Sequence, residues 1–106
     1  MMRQKRIDAD KALQHQLAQI SGVTHLSSAA LRTPDTSDPG FTAILNGEHN
    51  SITVARSPYD DLYYAECYDG GGQFYGLEWF DSSRTAPEDV AHAIASYLRR
   101  HLNRHH

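Results

Sequence analysis

The sequence predicts an α+β fold in the order α-β-β-β-β-α, a four-stranded antiparallel meander with two helices on one face. Three observations predict it. Helix-forming stretches lie near the two ends of the chain, two pairs of alternating segments lie between them, and 106 residues allow one core, so 1–106 is read as a single domain.

The first helix is expected over 8–20, DADKALQHQLAQI. Asp8 and Asp10 stand at its start, where the helix dipole favours negative charge, and Leu13, Leu17 and Ile20 recur at helical spacing. Ser21-Gly22 ends the pattern. Residues 21–40 carry no periodicity and close on TPDTSDPG, so they are read as a long loop.

The hairpin 41–56 follows. FTAILN and SITVAR alternate on either side of Gly47-Glu48-His49-Asn50. A two-residue Asn46-Gly47 turn would set Leu45 opposite Glu48, whereas a four-residue loop sets Leu45 opposite Ile52 and Ala43 opposite Val54. Burial fixes register, which selects the longer loop and gives one face of Phe41, Ala43, Leu45, Ile52 and Val54.

In the hairpin 61–80, DLYYAECY and QFYGLEWF flank a glycine-rich turn. A Gly70-Gly71 turn pairs Tyr68 with Gln73, Glu66 with Tyr75, Tyr64 with Leu77 and Leu62 with Trp79. The Leu62/Tyr64/Leu77/Trp79 face is expected to meet the core. The opposite face holds Tyr63, Ala65, Cys67, Phe74 and Phe80.

The final helix is expected over 86–102, with Thr85-x-x-Glu88 as a capping box and Pro87 in the first turn. Val90, Ile94 and Leu98 mark its buried side, Ala91 and Ala95 permit close approach, and Arg99 and Arg100 complement the dipole at its end.

Composition narrows the function classes. The net charge of −3 leaves no basic excess for a phosphate backbone. The element order superficially resembles that of double-stranded-RNA-binding domains, but Pro87-Glu88-Asp89 stands where a basic helix start would be needed. No nucleic-acid partner is expected. The start MMRQKR has no apolar stretch behind it, so neither a signal peptide nor a membrane anchor is expected, and a cytoplasmic location with no membrane partner follows. Cys67 is the single cysteine, which excludes an internal disulfide and a paired-cysteine zinc site.

Chemistry concentrates in 57–81. Asp60, Asp61, Glu66, Asp69, Glu78 and Asp81 occur there with no Lys or Arg, beside eight of the chain's ten aromatic residues. Aromatic residues suit strands and acids suit turns, which is the plain explanation. The functional explanation is a surface for a basic partner, because aromatics supply contact area and carboxylates steer basic proteins. Tyr59, Asp60, Asp61, Tyr63, Glu66, Phe74, Glu78 and Phe80 are its candidate binding residues.

Catalysis and metal binding have less support. Glu66 and Glu78 fall on opposite faces, and the aspartates lie in separate turns. His101 and His105 are four apart on a helix, but a third ligand at matching spacing is absent. Gly70-Gly71-Gly72 is not followed by a helix, as a phosphate loop would be. No catalytic residue, metal or cofactor is assigned. The expected function is a non-catalytic protein-binding module, of the kind found among small bacterial immunity, inhibitor or accessory proteins, with which it shares size, acidity and fold class. Two alternatives stand beside it: a small-molecule-binding or enzymatic domain with a pocket between the sheet and the 21–40 loop, and a structural homodimer joined through sheet faces or edges.

Overall fold

In an antiparallel sheet, cross-strand partners share a face, so one secure strand pair fixes the sides of all the others. The computed structural model describes residues 2–20, 25–28, 40–57 and 59–102. Its elements are α1 (Met2–Leu17), β1 (His25–Ser28), β2 (Phe41–Asn46), β3 (Asn50–Arg56), β4 (Leu62–Asp69), β5 (Phe74–Asp81) and α2 (Pro87–His101). The strands form one antiparallel meander in the order β1-β2-β3-β4-β5. The α+β class and the antiparallel meander hold, with β2–β5 as the four expected strands. The segment expected as a loop contributes one short strand more, β1 at the sheet edge; 21–24 and 29–39 lie outside the described residues.

The first hairpin has the expected register, Leu45 opposite Ile52 and Ala43 opposite Val54. Phe41, Ala43, Leu45, Ile52 and Val54 are all buried. Register then propagates to β4, because Val54 pairs with Ala65 and Ile52 with Cys67. The core side of β4 is therefore Tyr63, Ala65 and Cys67, each buried.

That reverses the expected faces of the second hairpin. Leu62, Tyr64, Leu77 and Trp79 point to the outer side, and their pairing differs too: Tyr64 stands opposite Trp79, Glu66 opposite Leu77 and Leu62 opposite Asp81. The cause lies in the turn. The Asp69 carboxylate accepts hydrogen bonds from the Gly71 and Gln73 amides, both at 2.9 Å, and the Asp69 N–H donates to the Gln73 carbonyl. Gly72 takes φ +84°, which glycine adopts without steric cost. A bulge beside Cys67/Tyr68 then absorbs Tyr75, so Phe74 joins the outer face opposite Tyr68 and leaves the Tyr63 side.

Both helices pack on the inner face. Ala9, Leu13 and Leu17 of α1 and Val90, Ile94 and Leu98 of α2 share one cluster with the inward strand residues. Small residues suit close packing, and Ala65, Ala91 and Ala95 are fully buried. α1 starts at Met2, earlier than expected, so Asp8 and Asp10 lie in its body and its first turn carries no acid. Met2–Arg6 consists of good helix formers, and tertiary bonds hold this end: Lys5 Nζ donates to the Ser83 carbonyl at 2.9 Å, and Arg6 pairs with Asp61 at 2.7 Å.

α2 begins without the capping box. Ala86 is the N-cap with no side-chain cap bond, and Pro87 opens the helix. Thr85 Oγ1 instead reaches back to the Asp81 carbonyl at 3.5 Å. At the other end Asn50 Nδ2 donates to the His101 carbonyl at 2.7 Å, satisfying an acceptor that the helix itself leaves open. Among the described residues no helix is long and apolar enough to cross a membrane.

Candidate functional site

The outer face is the side of the sheet that the helices do not cover. Pairing places Ile44, Thr53, Ala55, Tyr64, Glu66, Tyr68, Phe74, Leu77 and Trp79 on it. Ile44, Phe74, Leu77 and Trp79 are exposed, with about half the surface of Phe74 (51%) and Trp79 (52%) open. Single exposed apolar residues such as Ile44 are ordinary, but three large ones in succession along the outer side of one strand, Phe74, Leu77 and Trp79 on β5, are not.

Two cross-strand aromatic pairs give the row a fixed shape. Tyr64 and Trp79 meet edge to face with centroids 4.7 Å apart, and Tyr68 and Phe74 do so at 5.8 Å. Glu66 lies between them on β4 and accepts a hydrogen bond from the Tyr68 hydroxyl at 3.3 Å. The Tyr64 hydroxyl donates to Asp60 Oδ2, also at 3.3 Å. Loss of solvation and then the neighbouring carboxylate push both hydroxyls above the usual phenol range, Asp60 acting on Tyr64 and Glu66 on Tyr68. Both tyrosines therefore remain neutral donors beside the carboxylates. Among the described side chains of this face there is no Lys or Arg.

The candidate residues are distributed differently from the sequence expectation. Glu66 and Phe74 lie on the outer face, and Asp60 borders it through Tyr64. Tyr59 is exposed on the loop before β4. Asp61 is half-buried and held by Arg6, while its carbonyl accepts from the Ser82 N–H at 2.8 Å. Glu78 is exposed but has the inner parity of β5. Phe80 is half-buried edge to face against Tyr97, with centroids 5.7 Å apart. Tyr63 is fully buried and cannot meet a partner.

The sequence reading missed Ile44, Tyr64, Tyr68, Leu77 and Trp79 as surface residues. Their signal was period-2 spacing, which names a face without saying which side the helices take. Tyr63 and Phe80 lie on the inner side of the sheet and Phe74 on the outer, so no single contact through one face uses all three.

Beneath Tyr63 is a second polar cluster. The Arg56 side chain is completely buried and donates to Asp10 from Nε at 3.1 Å and from Nη2 at 2.6 Å. Its Nη1 donates to the carbonyls of Ser57 at 2.8 Å and Asp60 at 3.4 Å. The Tyr63 hydroxyl donates to the same Asp10 carboxylate. Burial first, then Asp10, drives the Tyr63 hydroxyl far above the ordinary phenol range. Every buried side-chain nitrogen and oxygen among the described residues has a partner. The cluster ties α1 to β3 and β4, and it is architectural.

Cys67 is buried, with Sγ 3.5 Å from the Tyr97 hydroxyl and Gly76 opposite it on β5. His101 stacks on Tyr97, centroids 4.2 Å apart, and His105 lies outside the described residues. Among the described residues no three His, Cys, Asp or Glu side chains gather as metal ligands. An open groove of about 550 Å³ between the helices is lined by Asp8, Lys11, His15, Gln16 and Glu88 together with Ala12, Pro87 and Ala91.

Comparison with family models, curated protein sequences and solved structures finds no match for this chain.

Proposed function

We propose that this chain is a non-catalytic protein-binding module whose outer sheet face takes a partner with a basic surface, in the manner of a small inhibitor, immunity or accessory protein. One observation carries the reading: Phe74, Leu77 and Trp79 are exposed along β5 beside Glu66, and Ile44 is exposed two strands away, on a face with no basic side chain among its described residues. Aromatic side chains anchored by cross-strand pairing lose little freedom on binding, which suits them to the centre of an interface. Carboxylates among them steer Lys and Arg into register and repel acidic proteins.

The test is capture of binding proteins from the native host on immobilised chain, compared with Trp79→Ala/Glu66→Lys after circular dichroism shows that the variant is folded. Loss of a specific basic protein from the variant is expected. Equal capture by both forms would sink the proposal.

A further inference from the structure

The outer face ends at β5, and β5 is an edge. Among the described residues it pairs only with β4. An antiparallel edge strand turns the N–H and C=O of alternate residues away from its neighbour, where they form a template for another strand. Among the described residues, no backbone hydrogen bond outside the β4 ladder reaches Gly76–Phe80.

Of the usual protections β5 has only a bulge at its start and one charge on its inner side, Glu78. β5 has neither Lys nor Pro, and its bulge lies at its start, so Gly76–Phe80 pairs regularly with β4. α2 covers the inner side at Phe80 through Tyr97, yet Glu78 on that side is exposed. Gly76 adds a separate observation. Its φ is not positive, and a Cβ there would meet only Cys67 Cβ at 3.9 Å, an ordinary contact. Among the described residues nothing requires glycine there. A bare backbone in mid-strand suits close approach by another backbone.

Charge selects the occupant. If two copies paired antiparallel about Leu77, their Glu78 side chains would be diagonal neighbours on one face, in chains that each carry a net charge of −3. Like charges so placed oppose pairing. A basic strand meets the opposite situation.

We propose that β5 accepts an added strand from the partner protein, an extended segment that alternates basic with apolar residues. Its basic side chains lie beside Glu78, and its apolar ones continue the row of Leu77 and Trp79. Main-chain bonds hold the segment, and the alternating side chains select it. The inference rests on the outer face being a protein-binding surface, and it adds how the partner's backbone is held.

The experiment follows amide hydrogen exchange by NMR in the full chain, with three eight-residue probes at millimolar concentration. The probes are a peptide alternating Lys with Val, the same peptide N-methylated at alternate nitrogens, and a peptide alternating Glu with Val. The Lys–Val peptide is expected to slow exchange at alternate amides of Gly76–Phe80 by about tenfold or more. The N-methylated and Glu–Val peptides are expected to leave it unchanged, and Glu78→Lys to reverse the preference in favour of Glu–Val. If the Lys–Val peptide shifts Tyr64, Glu66 and Trp79 without slowing β5 amides, strand addition is overturned while the face remains a binding surface. Protection of β5 that rises with protein concentration overturns it in favour of self-pairing. Unchanged exchange and unchanged shifts with every peptide overturn it as well, and host capture then decides the face separately.

Discussion

Arg56 is buried with one carboxylate, two carbonyls and a tyrosine ring, its guanidinium carbon 5.9 Å from the Tyr63 centroid. A buried ion pair adds little against an apolar substitute, but losing one member leaves an uncompensated charge. Asp10→Ala should therefore cost about 3–5 kcal/mol in urea denaturation. Replacing both residues, as Asp10→Leu with Arg56→Met, should recover most of that loss. Tyr63 supplies a pH signature. The folded chain keeps the hydroxyl proton that an unfolded tyrosine releases near pH 10, because burial and Asp10 raise its pKa. The folded state thus binds more protons above pH 10, and stability, flat below that point, must fall as pH rises beyond it. Tyr63→Phe should reduce the fall measured between pH 9 and 11; an unchanged slope would assign it to other tyrosines. None of this was legible locally. Tyr63 looked like its neighbour Tyr64, and Asp10, which accepts its buried hydroxyl, lies on another element 53 residues away.

Elements were legible where their pattern had one solution. The first hairpin has a single apolar face, so alternation set both its register and its inner side. The second has large apolar residues on both faces, and side-chain size pointed the wrong way: the helices select Ala65 and Cys67, while the bulkier Leu77 and Trp79 remain outside. The bulge at Tyr75 has no signature that periodicity detects. α2 was legible along its length and misread at its cap. Ile94 is fully buried beneath the sheet, so Ile94→Ala should cost about 2–5 kcal/mol in chemical denaturation. Thr85→Ala should cost less than about 0.5 kcal/mol, because Ala86 occupies the N-cap; a loss near 1 kcal/mol would restore the capping box.

At the scale of the molecule the two layers differ in charge. Lys5, Arg6, Lys11, Arg99 and Arg100 belong to the helices, beside Asp8, Asp10, Glu88 and Asp89, whereas the strand residues described on the outer side of the sheet include Glu66 and Asp81 and no Lys or Arg. Asp81 is held ionised, since bonds from the Ser83 hydroxyl and amide keep its carboxyl below the usual range. On the proposed reading, a basic partner would be steered toward the sheet before contact. Steering and anchoring then separate in kinetics, because charge acts mainly on association and desolvated aromatic contact on dissociation. With the captured partner, Glu66→Lys should slow association several-fold at low ionic strength and flatten its dependence on salt, with dissociation little changed. Trp79→Ala should leave association within about twofold and speed dissociation tenfold or more, a cost of about 1.4 kcal/mol or above. Folding stability is the control. Trp79 is half exposed, so its removal should lower the unfolding free energy by only about 1 kcal/mol, that of its edge-to-face contact with Tyr64. Should Trp79→Ala instead unfold the chain while dissociation from the partner stays unchanged, the aromatic row would be a structural support, and the binding surface would have to be sought elsewhere on the molecule.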